Sequence, residues 1–149
     1  MSKYNLTITE EQARTLISAL DLYSRIGMGQ FEEVEMIYRY DSRKSVNYDG
    51  EETVEYDGDK FRELLKECKK LLGHHSNGSY GIYSHQVPDS FRVAWDLKKV
   101  IRHRLAWDRR PEGGYTVDFE EPRQSSKLPL ACIEKDEVTP LARIEKAGE

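Results

Sequence analysis

Two glycines, Gly27 and Gly29, interrupt an amphipathic helical pattern near the start of the chain. Glycine breaks a helix because it loses the most backbone entropy on folding and readily adopts positive φ. The sequence therefore predicts two short helices joined at Gly27-Met28-Gly29, with one of the two glycines at positive φ. Free backbone N–H groups near Gln30 would form a modest anion site, although a plain helical packing unit explains the pattern more simply. Apolar residues at helical spacing flank the glycines: Ala13, Leu16, Ile17, Leu20 and Tyr23 before them, and Phe31, Val34 and Ile37 after them.

Helix-start and helix-stop signals indicate the other helices. Thr9 and Gln12 have the spacing of a capping box, which predicts the start of the first helix. Asp59 is the predicted N-cap of a later helix, and Gly73 is its predicted C′ residue. The predicted helices span about residues 10–25, 59–72 and 89–107, in addition to the short helix after Gly29.

Alternating apolar residues predict three strands, at residues 3–8, at 115–119 and within 128–133. A surface hairpin is predicted from a short strand at residues 53–56, between the Asp-Gly pairs at 49–50 and 57–58, and a partner strand at 45–48. We therefore expect a single α+β domain over residues 1–149, with three or four helices packed on a small, mostly antiparallel sheet. The charged segment from about residue 138 is expected to be a weakly ordered tail or a short edge segment.

The segment from 41 to 59 is strongly acidic. Its acidic residues are Asp49, Glu51, Glu52, Glu55, Asp57 and Asp59. The order of acids around a glycine that defines an EF-hand is absent, so a solvated acidic loop is the simpler interpretation.

Composition limits the classes of function. The chain of 149 residues carries a net charge of −4, which argues weakly against a general nucleic-acid binder. No apolar run approaches the roughly 18–20 residues of a membrane span, and the N-terminus lacks the apolar core of a secretory signal. We therefore expect a protein of the cytoplasm that binds neither nucleic acid nor membranes.

Cysteines and histidines do not predict a metal site. Cys68 and Cys132 lack zinc-type spacing, so both are expected to be reduced and buried. The loop at 74–87 contains three histidines but no HExxH or carboxylate-assisted cluster. No nucleophile elbow or phosphate-binding loop is present either. We expect no metal, no cofactor and no enzymatic activity.

The helix predicted at 89–107 carries the richest set of chemical groups. Arg104 projects from its apolar face, so it must extend to solvent, pair with a carboxylate or meet an anionic ligand. Arginine offers a planar fork to phosphate, and tryptophan offers a face on which a base can stack. A solvated basic helix is the simpler alternative. The expected ligand contacts are Arg104, Arg102, His103, Trp95, Arg92, Tyr83, Arg25 and Gln30.

Two strings, DLYSRIGMGQFEEV (21–34) and DLKKVIRHRLAWD (96–108), resemble those of a family of small accessory proteins of tailed bacteriophages. In that family a helix ending SRIGxGQFEE precedes a helix of the type DLxxVIRHRLAW. The strings cover about a fifth of the chain. The resemblance implies a non-structural protein that acts inside an infected bacterium. Such proteins often counter host defence, by capturing a nucleotide immune signal or by binding a host enzyme.

Three functions follow as expectations. The first is a non-enzymatic anti-defence protein, self-associating, that binds and sequesters a nucleotide-like signal; Arg104 favours it. The second is a protein–protein inhibitor of a host defence enzyme, with the acidic loop as a contact surface that mimics nucleic-acid charge. The third is a phosphodiesterase-like enzyme.

Overall fold

A computed structural model describes residues 2–41, 57–135 and 143–146 of the chain. Over these residues the protein is mostly helical. The elements in chain order are β1 (Tyr4–Thr7), α1 (Glu10–Gly27), α2 (Glu32–Asp41), α3 (Gly58–Leu71), α4 (Asp89–Arg109), a 3-10 helix (Val117–Phe119) and β2 (Arg143–Lys146). The predicted hairpin at 45–56 and most of the acidic loop lie outside the described residues.

The expected α+β class is wrong, because the described residues are mostly helical and none of their helices packs on a sheet. In the described ranges, β structure is limited to an antiparallel ribbon in which β1 pairs with β2, with Tyr4 opposite Lys146. The two strands contact each other and none of the described helices. The strand prediction at 3–8 is confirmed. Its partner lies in the segment that we expected to be a tail or an edge segment.

The predicted strands at 115–119 and 128–133 are wrong. Residues Val117–Phe119 form a 3-10 helix, and residues 128–133 have no regular secondary structure. Tyr115 and Val117 are exposed, whereas Phe119 lies edge-on against Trp107 of α4, with ring centroids 5.5 Å apart. The alternation therefore reflects one aromatic contact with a helix. It predicts a strand only where a neighbouring strand exists to pair with it.

Local signals correctly placed α1 and the turn that follows it. The Thr9 hydroxyl accepts a hydrogen bond from the Gln12 backbone N–H, and the Thr9 N–H donates to the Gln12 side chain, so the capping box is confirmed. Gly29 has φ of 81°, which confirms the predicted positive-φ glycine between two helices. Gly27 remains helical, and a Cβ there would lie 2.1 Å from the Phe91 ring. One glycine thus makes the turn, and the other permits close packing on α4.

The start of α3 lies two residues before the predicted position. Asp57, not Asp59, is the N-cap, because its carboxylate accepts the Lys60 N–H at 3.0 Å. Asp59 lies in the first turn and forms an ion pair with Arg62 at 2.5 Å. Both aspartates have a suitable spacing, so the sequence could not separate them. Gly73 follows the helix with φ of 80°, as predicted for a C′ residue.

The apolar residues that recur at helical spacing in and directly after α3 are Phe61, Leu64, Leu65, Cys68, Leu71 and Leu72, and most of them are exposed. Leu71 is 86% exposed and Leu72 is 67% exposed, while Phe61 and Leu65 on an adjacent face are partly buried. Lys69 continues that buried face at a spacing of four residues from Leu65. Cys68 lies on the exposed side. The expectation of buried cysteines is therefore wrong: Cys68 and Cys132 are both exposed free thiols.

The apolar centre lies where the turn after α1 meets the loop before α4. Met28, Ile82 and Val87 are buried there, with Tyr80, Phe91 and Trp95 packed around them. The Tyr80 N–H donates to the Met28 carbonyl at 2.8 Å, which ties the loop to the glycine turn. Outside this centre, α4 contacts α1 and the 3-10 helix.

A polar segment after the 3-10 helix is fastened to α4 by carboxylates. Asp96 is 4% exposed and accepts the backbone N–H groups of Ser125 at 2.9 Å and Ser126 at 2.8 Å, together with the Ser125 hydroxyl. Asp89 accepts the Lys127 N–H at 3.1 Å. These bonds satisfy backbone groups that have no strand partner. No helix in the described part of the chain has both the length and the apolar character needed to cross a membrane.

Candidate anion-binding site

A buried ion pair links α1 to α4. The Lys98 side chain is 3% exposed, and its Nζ donates to Asp21 Oδ1 at 2.6 Å. The same ammonium lies 3.3 Å from the centroid of the Trp95 ring. Arg25 donates to the other oxygen of Asp21 at 2.8 Å. One carboxylate therefore serves two cations, and the lysine charge is fully partnered within the protein.

The environment changes the acidity of both groups. Burial lowers the pKa of Lys98, and the bond to Asp21 opposes that change without cancelling it. Burial would raise the pKa of Asp21, but the hydrogen bonds from Lys98 and Arg25 outweigh it and hold the pKa below its usual value. Asp21 is therefore a carboxylate at neutral pH.

Arg25 also ties α1 to the start of α2. Its guanidinium donates to the Gln30 side-chain oxygen at 2.8 Å and lies 3.1 Å from Glu33 Oε1. This contact crosses the turn at Gly29. Asp21, Arg25, Gln30 and Glu33 belong to the first string of the resemblance, and Lys98 belongs to the second. Much of the chemistry of both strings is therefore used to hold three helices together.

A groove of about 250 Å³ runs between α1 and α4 on another part of their contact. Ile17 and Leu105 contribute apolar groups, and three arginines border it: Arg14, Arg102 and Arg109. Asp118, from the 3-10 helix, closes one side. The groove combines apolar side chains with guanidinium groups, which suits an anion attached to a less polar body.

The groove arginines differ in their partners. Arg14 pairs with Glu10 at 2.5 Å, and both side chains are more than half exposed. Arg102 pairs with Asp118 at 2.5 Å. Arg109 forms neither an ion pair nor a hydrogen bond with any described residue. Arg109 therefore offers a complete guanidinium to a ligand.

Arg104 lies outside this groove. It donates to Asp108 at 3.1 Å through Nε, and its terminal nitrogen lies 2.9 Å from the other carboxylate oxygen. The side chain is 38% exposed. Its charge is thus met by a carboxylate one helical turn later. This internal partner removes the main reason for expecting a ligand at Arg104.

The other expected contacts are separated. His103 bonds to the Asp118 carbonyl at 3.0 Å, beside Arg102. Arg92 donates to the Ser84 carbonyl at 2.7 Å, and Tyr83 is 63% exposed in the same loop. Trp95 packs on the apolar centre beneath Lys98. Of the expected contacts, the structure brings Arg102 alone into the lining of the groove.

Sequence reasoning missed Arg14 and Arg109. Arg109 follows Arg102 by seven residues, with Leu105 and Ala106 between them, so all four share one face of α4. That spacing could have indicated Arg109. Arg14 carries no comparable signal, because its role depends on how α1 packs against α4.

Among the described residues, no three His, Cys, Asp or Glu side chains lie together in a way that could hold a metal ion. His74 instead packs between Phe31 and Tyr80, with centroid distances of 5.7 Å to each ring. Comparisons with protein-family models, with curated proteins and with solved structures found no match.

Proposed function

We propose that this protein binds a phosphate-bearing small molecule, without catalysis, in the groove between α1 and α4. The observation that supports it most is Arg109, an exposed guanidinium without a partner among the described residues, in the lining of a groove of mixed polar and apolar character. Arginine binds phosphate through paired, charge-assisted hydrogen bonds. Ser18 and Asp118 also line the groove, but the Ser18 hydroxyl donates to the Arg14 carbonyl and the Asp118 carboxylate pairs with Arg102, so both are engaged within the protein.

The neighbouring arginines can join Arg109 at low cost. The Arg14–Glu10 pair is exposed, and exposed ion pairs contribute about 0–1 kcal/mol. A phosphate dianion can therefore replace Glu10 as the partner of Arg14. Arg102 remains held by Asp118, which fixes the position of its guanidinium. Three arginines therefore border the groove in different states. Asp118 holds Arg102 in place, Arg14 can exchange its partner, and Arg109 has no partner among the described residues.

The size of the groove limits how much of a ligand it encloses. Its volume of about 250 Å³ is below the roughly 300–1,000 Å³ of pockets that enclose a drug-sized ligand. It suits a phosphate and an attached sugar, with the rest of the ligand outside. Together with the resemblance to phage accessory proteins, this favours a nucleotide-like signal that the protein sequesters in the cytoplasm of an infected bacterium.

Thermal-shift measurements with cyclic nucleotides, dinucleotides and ADP-ribose-type compounds test the proposal. A ligand at 100 times its Kd stabilises the folded state by about 2.7 kcal/mol. Arg109→Ala should weaken binding about tenfold or more, because a charge-assisted bond contributes about 1.5–3 kcal/mol. Arg104→Ala is the matched control, since it removes an arginine of the same helix outside the groove. Equal binding by wild type and Arg109→Ala would contradict the proposal.

A second candidate is the protein–protein inhibitor. Exposed leucines on α3 and at its C-cap favour it, because Leu64, Leu71 and Leu72 are 57%, 86% and 67% exposed. Contiguous exposed apolar groups often mark protein contacts. Co-purification of a host protein that is lost with Leu71→Asp, combined with no shift from any nucleotide, would favour this function over ligand binding.

A further inference from the structure

A second cavity, of about 260 Å³, lies where α3 meets the start of α2 and the loop at 76–79. Basic and hydroxyl side chains dominate its wall, with one carboxylate at its edge. The residues that matter here are Glu32, Lys66, Lys69, Ser76, Asn77 and Ser79. None of them belongs to the arginine groove.

Lys69 is the unusual residue in this wall. Its side chain is only 6% exposed, yet its ammonium has no hydrogen-bond acceptor among the described residues. Glu32 is the nearest acid, with Oε2 3.9 Å from Nζ, which is beyond hydrogen-bond distance. The stem of Lys69 is buried, whereas its Nζ keeps some solvent contact at the cavity. A largely buried ammonium gains from a charged acceptor, and the cavity that it lines is where an anion can enter.

Other groups around the cavity are also free to donate. Lys66 is exposed and forms no ion pair with a described residue. The side chains of Ser76, Asn77 and Ser79 make no hydrogen bond within the described part of the chain. Two ammonium groups, two hydroxyls and an amide therefore surround one small space. This donor set matches a tetrahedral oxyanion with several acceptor oxygens.

We propose that this cavity is a second anion site, which binds a phosphate group through Lys69, Lys66 and the Ser76–Ser79 loop. Lys69 supplies a positive charge on a largely buried side chain, and the loop supplies directional donors. Glu32 opposes an incoming anion. Because its side chain is 56% exposed, it can turn toward solvent when phosphate binds. The site is independent of the arginine groove and does not rest on the function proposed for it.

Titration of the full chain with inorganic phosphate, followed by amide NMR shifts, tests the site. We expect saturable shifts at Ser76, Asn77 and Ser79. Lys69→Met should weaken this binding about tenfold or more. Lys70→Gln should leave it unchanged, because Lys70 is an exposed neighbour already paired with Glu67. Glu32→Gln should strengthen binding by removing the opposing charge.

A second variant tests the site even if Lys69→Met perturbs folding. Lys66→Gln changes an exposed residue and should also weaken phosphate binding. The absence of saturable shifts in this loop for the wild-type protein would overturn the proposal, as would equal binding by Lys66→Gln and Glu32→Gln. Shifts confined to Arg102 and Arg109 would overturn this site while supporting the groove.

Discussion

Lys98 and Lys69 are almost equally buried, with side chains 3% and 6% exposed, but their charges are met in different ways. Lys98 has a carboxylate at 2.6 Å and the face of Trp95 at 3.3 Å. Among the described residues, Lys69 has one acidic neighbour, Glu32 at 3.9 Å, and its side chain lines a cavity. Burial of a charged side chain therefore does not by itself identify a binding site. The proposal for Lys69 depends instead on the absence of a hydrogen-bond acceptor for its ammonium among the described residues.

The largest effect is expected at the fully partnered lysine. Asp21→Asn should destabilise the protein by about 3 kcal/mol, because it leaves the Lys98 ammonium buried without a countercharge. For a chain of this size that corresponds to a fall in Tm of about 6–12 °C. Urea unfolding measures the change. The control is Glu10→Gln at an exposed pair, which should cost less than about 1 kcal/mol. Equal losses would contradict the comparison.

The glycine turn that carries Arg25 toward α2 is the next most sensitive region. Gly27→Ala should cost about 2–3 kcal/mol, since its Cβ would lie 2.1 Å from the Phe91 ring. Gly29→Ala should cost about 1 kcal/mol or more because φ there is 81°. Thermal unfolding of both variants checks the order. A larger loss at Gly29 would show that backbone strain, not contact with α4, sets the turn.

Acid should weaken the partnered network in a defined direction. The pKa of Asp21 is lowered in the folded state, so its contribution is complete above its unfolded pKa of about 3.9. That contribution is lost as the pH falls through the lower folded value. Urea unfolding between about pH 5 and pH 2 should therefore show a steeper loss for the wild type than for Asp21→Asn. Parallel curves would contradict the role of Asp21.

The smallest effect on stability is expected at Lys69. Replacing a poorly partnered buried charge with an apolar side chain is often neutral or stabilising. Lys69→Met should therefore leave the free energy of unfolding unchanged within about 0.5 kcal/mol or increase it. Lys98→Met is the matched comparison, and it should lose stability. A clear loss with Lys69→Met would show that Lys69 has a structural partner.

Local signals in the sequence predicted the helices well. The capping box at Thr9, the positive-φ Gly29 and the C′ residue Gly73 depend on neighbours within a few positions, so the sequence contains what determines them. The pairing of strands could not be predicted from local signals. Val117 and Phe119 alternate like a strand, but a strand also needs a partner, which only the tertiary fold reveals.

The candidate site shows the same division. The Arg102–Arg109 face of α4 follows from helical spacing, whereas the place of Arg14 depends on the packing of α1. Arg104 is a charged residue on an otherwise apolar face of the predicted helix, yet Asp108, one turn later, forms an ion pair with it. Spacing of four residues between opposite charges was visible in the sequence. A search for missing partners would have separated Arg104 from Arg109.

Double-mutant cycles on the two lysines test the central comparison most directly. One cycle combines Asp21→Asn with Lys98→Met, and the other combines Glu32→Gln with Lys69→Met, each followed by urea unfolding. We predict a coupling energy of about 1.5–3 kcal/mol for Asp21 and Lys98, and less than about 0.5 kcal/mol for Glu32 and Lys69. Equal coupling energies in the two cycles would contradict the account, because Lys69 would then be partnered within the protein as Lys98 is.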